Sequence, residues 1–166
     1  MYKTGDIILF KPTGFISSLI AKISGSKYSH SAVVFDDILD ATFILEVDWS
    51  ASRLICLDSL KRDHDVFRIN QNFDANKFRE NIIKSGKYFN IPYDYVQLFS
   101  FWRRFLFKAP IRSNEDKYIC SEIVDRAFYD IDIVLVEDYR VGEVSPEDLA
   151  QSKLTQKIEE VRYESS

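Results

Sequence analysis

Five short apolar or alternating segments crowd into the first seventy residues, and mostly helical stretches follow them; that order does most to restrict the fold. Ile7 to Phe10 is a continuous apolar strand introduced by Gly5-Asp6. Ser31 to Phe35, Ile44 to Trp49, Arg53 to Leu57 and Val66 to Ile69 also have strand length and composition. Asp36-Asp37 closes one of these segments, and Ser50-Ala51-Ser52 reads as a turn between two others. Between the first two strands, Phe15, Ile16, Leu19, Ile20 and Ile23 recur at helical spacing, and Gly25 supplies a stop. Downstream, Asp74 is placed to cap a helix that uses Phe78, Ile82 and Ser85 and ends near Gly86. Ser145-Pro146-Glu147-Asp148 combines a cap, a proline at the first helical position and acids in the first turn. Strands first with helices around them predict an α+β domain. No repeat, low-complexity run or linker interrupts the chain, so residues 1–166 are expected to form a single domain with a substantial core.

Charge and cysteine usage exclude several functions. The 22 basic and 26 acidic residues leave a net charge of −4, so no basic surface for nucleic acid is expected. Two cysteines and two histidines cannot build an all-Cys/His zinc site of ordinary spacing, and neither metal nor other cofactor is expected. The five glycines are scattered and form no phosphate-binding turn ahead of a helix. No feature singles out a pair of carboxylates for glycosidase chemistry. Scarce cysteine fits a reducing compartment, and nothing supports a Cys56–Cys120 disulfide. The Ile7–Phe10 stretch is too short for a signal-peptide core, and no run approaches transmembrane length. With Met1 as the native start, a cytoplasmic protein is expected.

Chemistry enters with Cys120. Apolar residues at Cys120, Ile123, Val124, Ala127 and Phe128 trace one helical face, which puts the cysteine in the first turn. A thiol there feels the positive end of the helix dipole, which favours the nucleophilic thiolate. The bland alternative is a buried core cysteine. A thiolate nucleophile also needs an imidazole, and usually a group that orients it. His64 lies in the charged run Lys61-Arg62-Asp63-His64-Asp65 and reads as a solvent turn. His30 begins the strand Ser29-His30-Ser31-Ala32-Val33-Val34, where one face is free to line a cleft. Glu46 is an acid within the apolar strand Ile44-Leu45-Glu46-Val47. It is either a solvent-facing edge residue or the carboxylate that a neighbouring strand offers to His30.

The order His30, Glu46, Cys120 reverses that of papain-like enzymes, in which cysteine comes first. In that order the chain resembles a circularly permuted, YiiX-like member of the NlpC/P-sixty superfamily of papain-like cysteine peptidases and amidases. Thr4-Gly5-Asp6-Ile7-Ile8-Leu9-Phe10 is similar to the family's Gly-Asp strand, and Tyr28-Ser29-His30-Ser31-Ala32-Val33-Val34-Phe35 to its histidine strand. Ile44-Leu45-Glu46-Val47 corresponds to the strand carrying the third polar group, and Ile91-Pro92-Tyr93-Asp94-Tyr95 to the Pro-Tyr turn. Tyr118-Ile119-Cys120-Ser121-Glu122-Ile123-Val124 resembles the nucleophile helix, and Val144-Ser145-Pro146-Glu147-Asp148-Leu149 a C-terminal Ser-Pro-x-Asp-Leu element. The likeness spans roughly residues 4 to 152, and the joint pattern is more specific than any one piece. Ser31-Ala32 stands where the family commonly has a glycine after the histidine.

The resemblance implies a papain-like, permuted NlpC-type fold: a small antiparallel sheet or barrel packed against the helix that bears the cysteine. It further implies a Cys120–His30–Glu46 site acting on a peptide, isopeptide-like or other amide bond, with Tyr93 as an oxyanion donor; Tyr28, by its place just before His30, is a weaker candidate for the same role. Residues 95–108 join Tyr93 to the cysteine helix and are dense in aromatics with three basic residues. That composition suits a lipid-facing helix, which would give peripheral membrane contact and favour an acyl hydrolase or acyltransferase, as in the related lecithin:retinol acyltransferase group. Packing of these aromatics on the domain is the preferred reading, because apolar residues occupy too much of the helix circumference. A third alternative is an inactive module whose cleft only binds.

Overall fold

The computed structural model describes residues 1–38, 40–48, 50–86, 88–90, 120–137 and 144–163. Strand β1 (Ile7–Phe10) is apolar at every position because both its faces are buried, and it lies inside a six-stranded sheet. The order across the sheet is β4 (Ser52–Cys56), β3 (Ala41–Val47), β2 (His30–Ile38), β1, β5 (His64–Ile69), β6 (Thr155–Val161). Every neighbouring pair is antiparallel.

Side chains alternate across this sheet and divide the core in two. Ile7, Leu9, Val33, Leu45, Val47, Phe67 and Ile69 face the helices. There they meet Phe78 and Ile82 of α2 (Ala75–Ser85) and Ile123, Val124, Ala127 and Phe128 of α3 (Cys120–Tyr129). The other face buries Ile8, Phe10, Ala32, Val34, Ile44 and Val66 with Leu57. Ile55 near one edge and Val161 at the other both pack on that second cluster. Tyr163, just beyond β6, feels Cys56 and Asp58 at the end of β4. Opposite edges therefore approach one another, and the sheet curls into a partial barrel.

The expected caps form. Asp74 accepts from the backbone N–H groups of Asn76 and Lys77, and Ser145 and Asp148 make a reciprocal capping box ahead of α4 (Pro146–Gln151). Helix α1 (Phe15–Ser24) ends at Gly25 in the left-handed conformation. Gly5 has φ 89°, and a Cβ there would collide with the Phe73 ring, so both backbone and space require glycine. Beside it, Asp6 receives both Nε and a terminal nitrogen of Arg68 and the Lys3 backbone N–H, which ties the start of β1 to β5.

One sequence reading is corrected here, and one strand goes unread in the sequence. His64 does not turn in solvent: it is fully buried as the first residue of β5 and pairs with Phe10. Its Nδ1–H donates to the Arg62 carbonyl at 2.7 Å, which leaves Nε2 to accept from the Tyr2 hydroxyl at 2.9 Å. A neutral imidazole satisfies both partners, and burial holds its pKa below the usual histidine range. Strand β6 completes the sheet although its sequence, Thr-Gln-Lys-Ile-Glu-Glu-Val, is mostly polar; it is an exposed edge strand. Among the described residues, no helix is long and apolar enough to cross a membrane.

Candidate active site

Cys120 is the first residue of α3, and the helix lies against β2 and β3. The apolar stripe of Ile123, Val124, Ala127 and Phe128 fixes which way the helix faces, and the Ser121 hydroxyl anchors its start by donating to the Val144 carbonyl at 2.6 Å. This presents Cys120, only 7% exposed, to the beginning of β2, where His30 stands. In the β2–β3 register Ala32 is opposite Glu46, which places the Glu46 carboxylate diagonally from the imidazole.

His30 Nε2–H donates to Glu46 Oε2 at 2.8 Å; an ionised carboxylate can only accept, which fixes the proton on that nitrogen. Nδ1 is left for the Cys120 sulfur, with which the imidazole is hydrogen-bonded. Burial opposes charge on the imidazole, but the Cys120 thiolate and the Glu46 carboxylate outweigh it and raise the His30 pKa to about 9. The reciprocal effect acts on the thiol. Burial pushes the Cys120 pKa up, while the His30 charge, its hydrogen bond and the Ser31 backbone N–H bring it below the ordinary thiol range. The pair therefore favours thiolate and imidazolium.

Glu46 is 2% exposed, and it stays ionised because two cations hold it. Burial would raise its pKa, whereas His30 and Arg53 lower it. Arg53 donates from Nε and from a terminal nitrogen to Glu46 Oε1, at 3.1 and 2.9 Å, while its other terminal nitrogen meets Asp48 at 2.8 Å. Arg53 is the residue that the sequence reading missed. Its signal was present: Glu46 and Arg53 flank the β3–β4 turn symmetrically and are paired opposite each other.

The structure thus brings together His30, Glu46 and Cys120. The Tyr28 phenol, read from sequence as an alternative oxyanion donor, instead gives its only proton to Asp65 Oδ2 at 2.7 Å and packs edge-on against Phe67 in the core. Burial and the Asp65 carboxylate raise its pKa and keep it protonated there. Tyr93 and the aromatic stretch 95–108 lie outside the described residues.

A thiol in the first turn of a helix, facing an imidazole on an antiparallel sheet, is the arrangement of a papain-like cysteine hydrolase. Residues 1–161 match the permuted papain-like amidase enzymes of the YaeF/YiiX, C92 family, and the chain belongs to that family. Its fold is similar to the crystal structure of metalloprotein YiiX from Escherichia coli O157:H7, with a TM-score of 0.70. That match has 16% sequence identity and covers 96% of this chain and 98% of the other, so the likeness is one of fold. No curated protein matches the chain. YiiX is described as a metalloprotein; among the described residues here, no group of three or more His, Cys, Asp and Glu side chains is placed to hold a metal ion.

Proposed function

We propose that the chain is a cysteine hydrolase that cleaves an amide bond in a peptide, isopeptide or similar substrate, with Cys120 as nucleophile, His30 as acid and base, and Glu46 as the group that orients His30. The observation that carries this reading is the buried hydrogen bond between His30 and Glu46 beside a thiol whose pKa is depressed. We also place the chain in the NlpC/P-sixty superfamily, as one permuted domain over residues 1–166, on the motif order that ends rather than begins with the cysteine.

In this mechanism the Cys120 thiolate attacks the substrate carbonyl carbon, and the carbonyl π electrons move onto oxygen. The Cys120 backbone N–H, at the unpaired end of α3, stabilises that oxyanion with the helix dipole behind it. Collapse re-forms the carbonyl and breaks the C–N bond, with the His30 imidazolium giving its proton to the departing amine. Water then attacks the thioester while neutral His30 accepts its proton, and the acid product leaves as the thiolate–imidazolium pair returns. Throughout, the Glu46 carboxylate holds Nε2–H and keeps Nδ1 aimed at the sulfur.

The test is alkylation by iodoacetamide at pH 6, followed by intact mass. Fast single labelling of the wild type, lost in Cys120→Ser and slowed in His30→Ala, is the expected result. Slow labelling that ignores His30 would mean an inert thiol.

A further inference from the structure

We propose that Arg62 is a specificity-determining residue of this site and selects substrates that carry a free carboxylate close to the scissile amide. The inference rests on the Cys120–His30 reading and deepens it. Phe10, at the end of β1, is paired with His30 on one side and with His64 on the other. Its ring centroid is 5.6 Å from that of His30 and 4.8 Å from the guanidinium carbon of Arg62, so one buried ring links the catalytic imidazole to an arginine. The ring face attracts the cation and holds it beside the sheet. The position is further fixed by the Arg62 carbonyl, which accepts from His64 Nδ1–H.

Among the described residues, the other cations around Cys120 are already matched. His30 serves Glu46 and the thiolate, and Arg53 is divided between Glu46 and Asp48. Arg62 differs. Its Nε is buried without a hydrogen-bond partner, and no ion pair to it occurs among the described residues. It nevertheless feels the charges of both Glu46 and Cys120, although burial works against its own charge. With Nε closed off from solvent, the terminal nitrogens, which make no hydrogen bond or ion pair to the described residues, are the donors left for a ligand. A carboxylate matches its planar fork. A dianion such as a phosphate monoester would bring a second negative charge toward the nearby thiolate and Glu46, which disfavours it. The chemistry therefore points to a monoanionic carboxylate on the substrate, as borne by an amino-acid or carboxyacyl group adjoining the cleaved bond.

Iodoacetate and iodoacetamide test this without a known substrate. Both alkylate the same sulfur at similar reach, and only one carries a carboxylate. The rates of Cys120 alkylation by each are measured at pH 7.5 on the full chain, wild type and Arg62→Gln. The ratio of the two rates cancels changes in thiolate fraction or folded fraction. Loss of a charge-assisted contact is expected to lower the iodoacetate-to-iodoacetamide ratio by about tenfold in Arg62→Gln. An unchanged ratio would overturn the proposal, whatever happens to the two rates together. Failure of the underlying site would be seen separately, as iodoacetamide labelling that His30→Ala does not slow.

Discussion

At the scale of single residues, the site depends on how two buried charges keep each other ionised. His30 has one nitrogen on Glu46 and the other available to Cys120, so its orientation is set before any substrate arrives. Arg53 stands behind Glu46 and supplies the second cation that offsets the burial of that carboxylate. Glu46→Gln keeps the shape but removes the charge that helps to hold the imidazolium. The thiol pKa then rises, and because one pKa unit changes thiolate abundance tenfold, Cys120 alkylation at pH 6 is expected to slow by about tenfold or more. An unaltered rate would assign Glu46 a purely architectural role. Much of this was legible in the sequence. The thiol at a helix start, a histidine at a strand start and an acid in an apolar strand are each local signals. Arg53 was not read, because its importance lies in a register pairing across a turn, although the turn itself was recognised. Arg62 and His64 were hidden in a charged run that resembles a solvent loop. Their burial depends on Phe10 and Tyr2, which lie more than fifty residues away in the chain.

Among the elements, those with chemical punctuation were easy to read and those defined by distant neighbours were not. Helices α2 and α4 begin at Asp74 and Ser145, whose side chains satisfy the first free N–H groups; this is a local property of the sequence. The β3–β4 hairpin was located within a few residues for the same reason. Strand β6 offered no such sign. It is polar because it faces water along an edge, and only its pairing with β5 makes it a strand. The start of β1 shows how a short motif acts through packing. The Gly5-Asp6 pair carries a positive φ, a close approach to the Phe73 ring and a carboxylate bound to Arg68. Gly5→Ala combines unfavourable backbone geometry with overpacking, for an expected loss of about 2–4 kcal/mol in urea denaturation. Gly86→Ala, at φ 60° with open space around the added methyl, meets only the backbone penalty of about 1–2 kcal/mol. Equal losses at the two positions would contradict the packing argument.

For the whole molecule, the curled sheet brings a thiol and an imidazole together from a chain order opposite to that of papain. The sheet comes first and the cysteine-bearing helix later, yet α3 returns to β2 and β3, so that the thiol meets the imidazole across ninety residues of sequence. Permutation changes connectivity but leaves the packing of helix on sheet intact, which is why motif order carried so much of the fold assignment. The chain contains only two histidines, and their environments are opposite: His30 is held charged by Glu46 and Cys120, while His64 is held neutral by burial. An NMR titration of the two imidazoles, in wild type and in Cys120→Ala, decides whether the thiolate–imidazolium pair exists. His30 is expected to stay protonated until about pH 9 and to lose much of that elevation without the thiolate. His64 is expected to stay neutral until the pH falls below the ordinary histidine range. A His30 that titrates as an unperturbed imidazole, with the same midpoint whether or not Cys120 is present, would contradict the thiolate–imidazolium pair and the mechanism built on it.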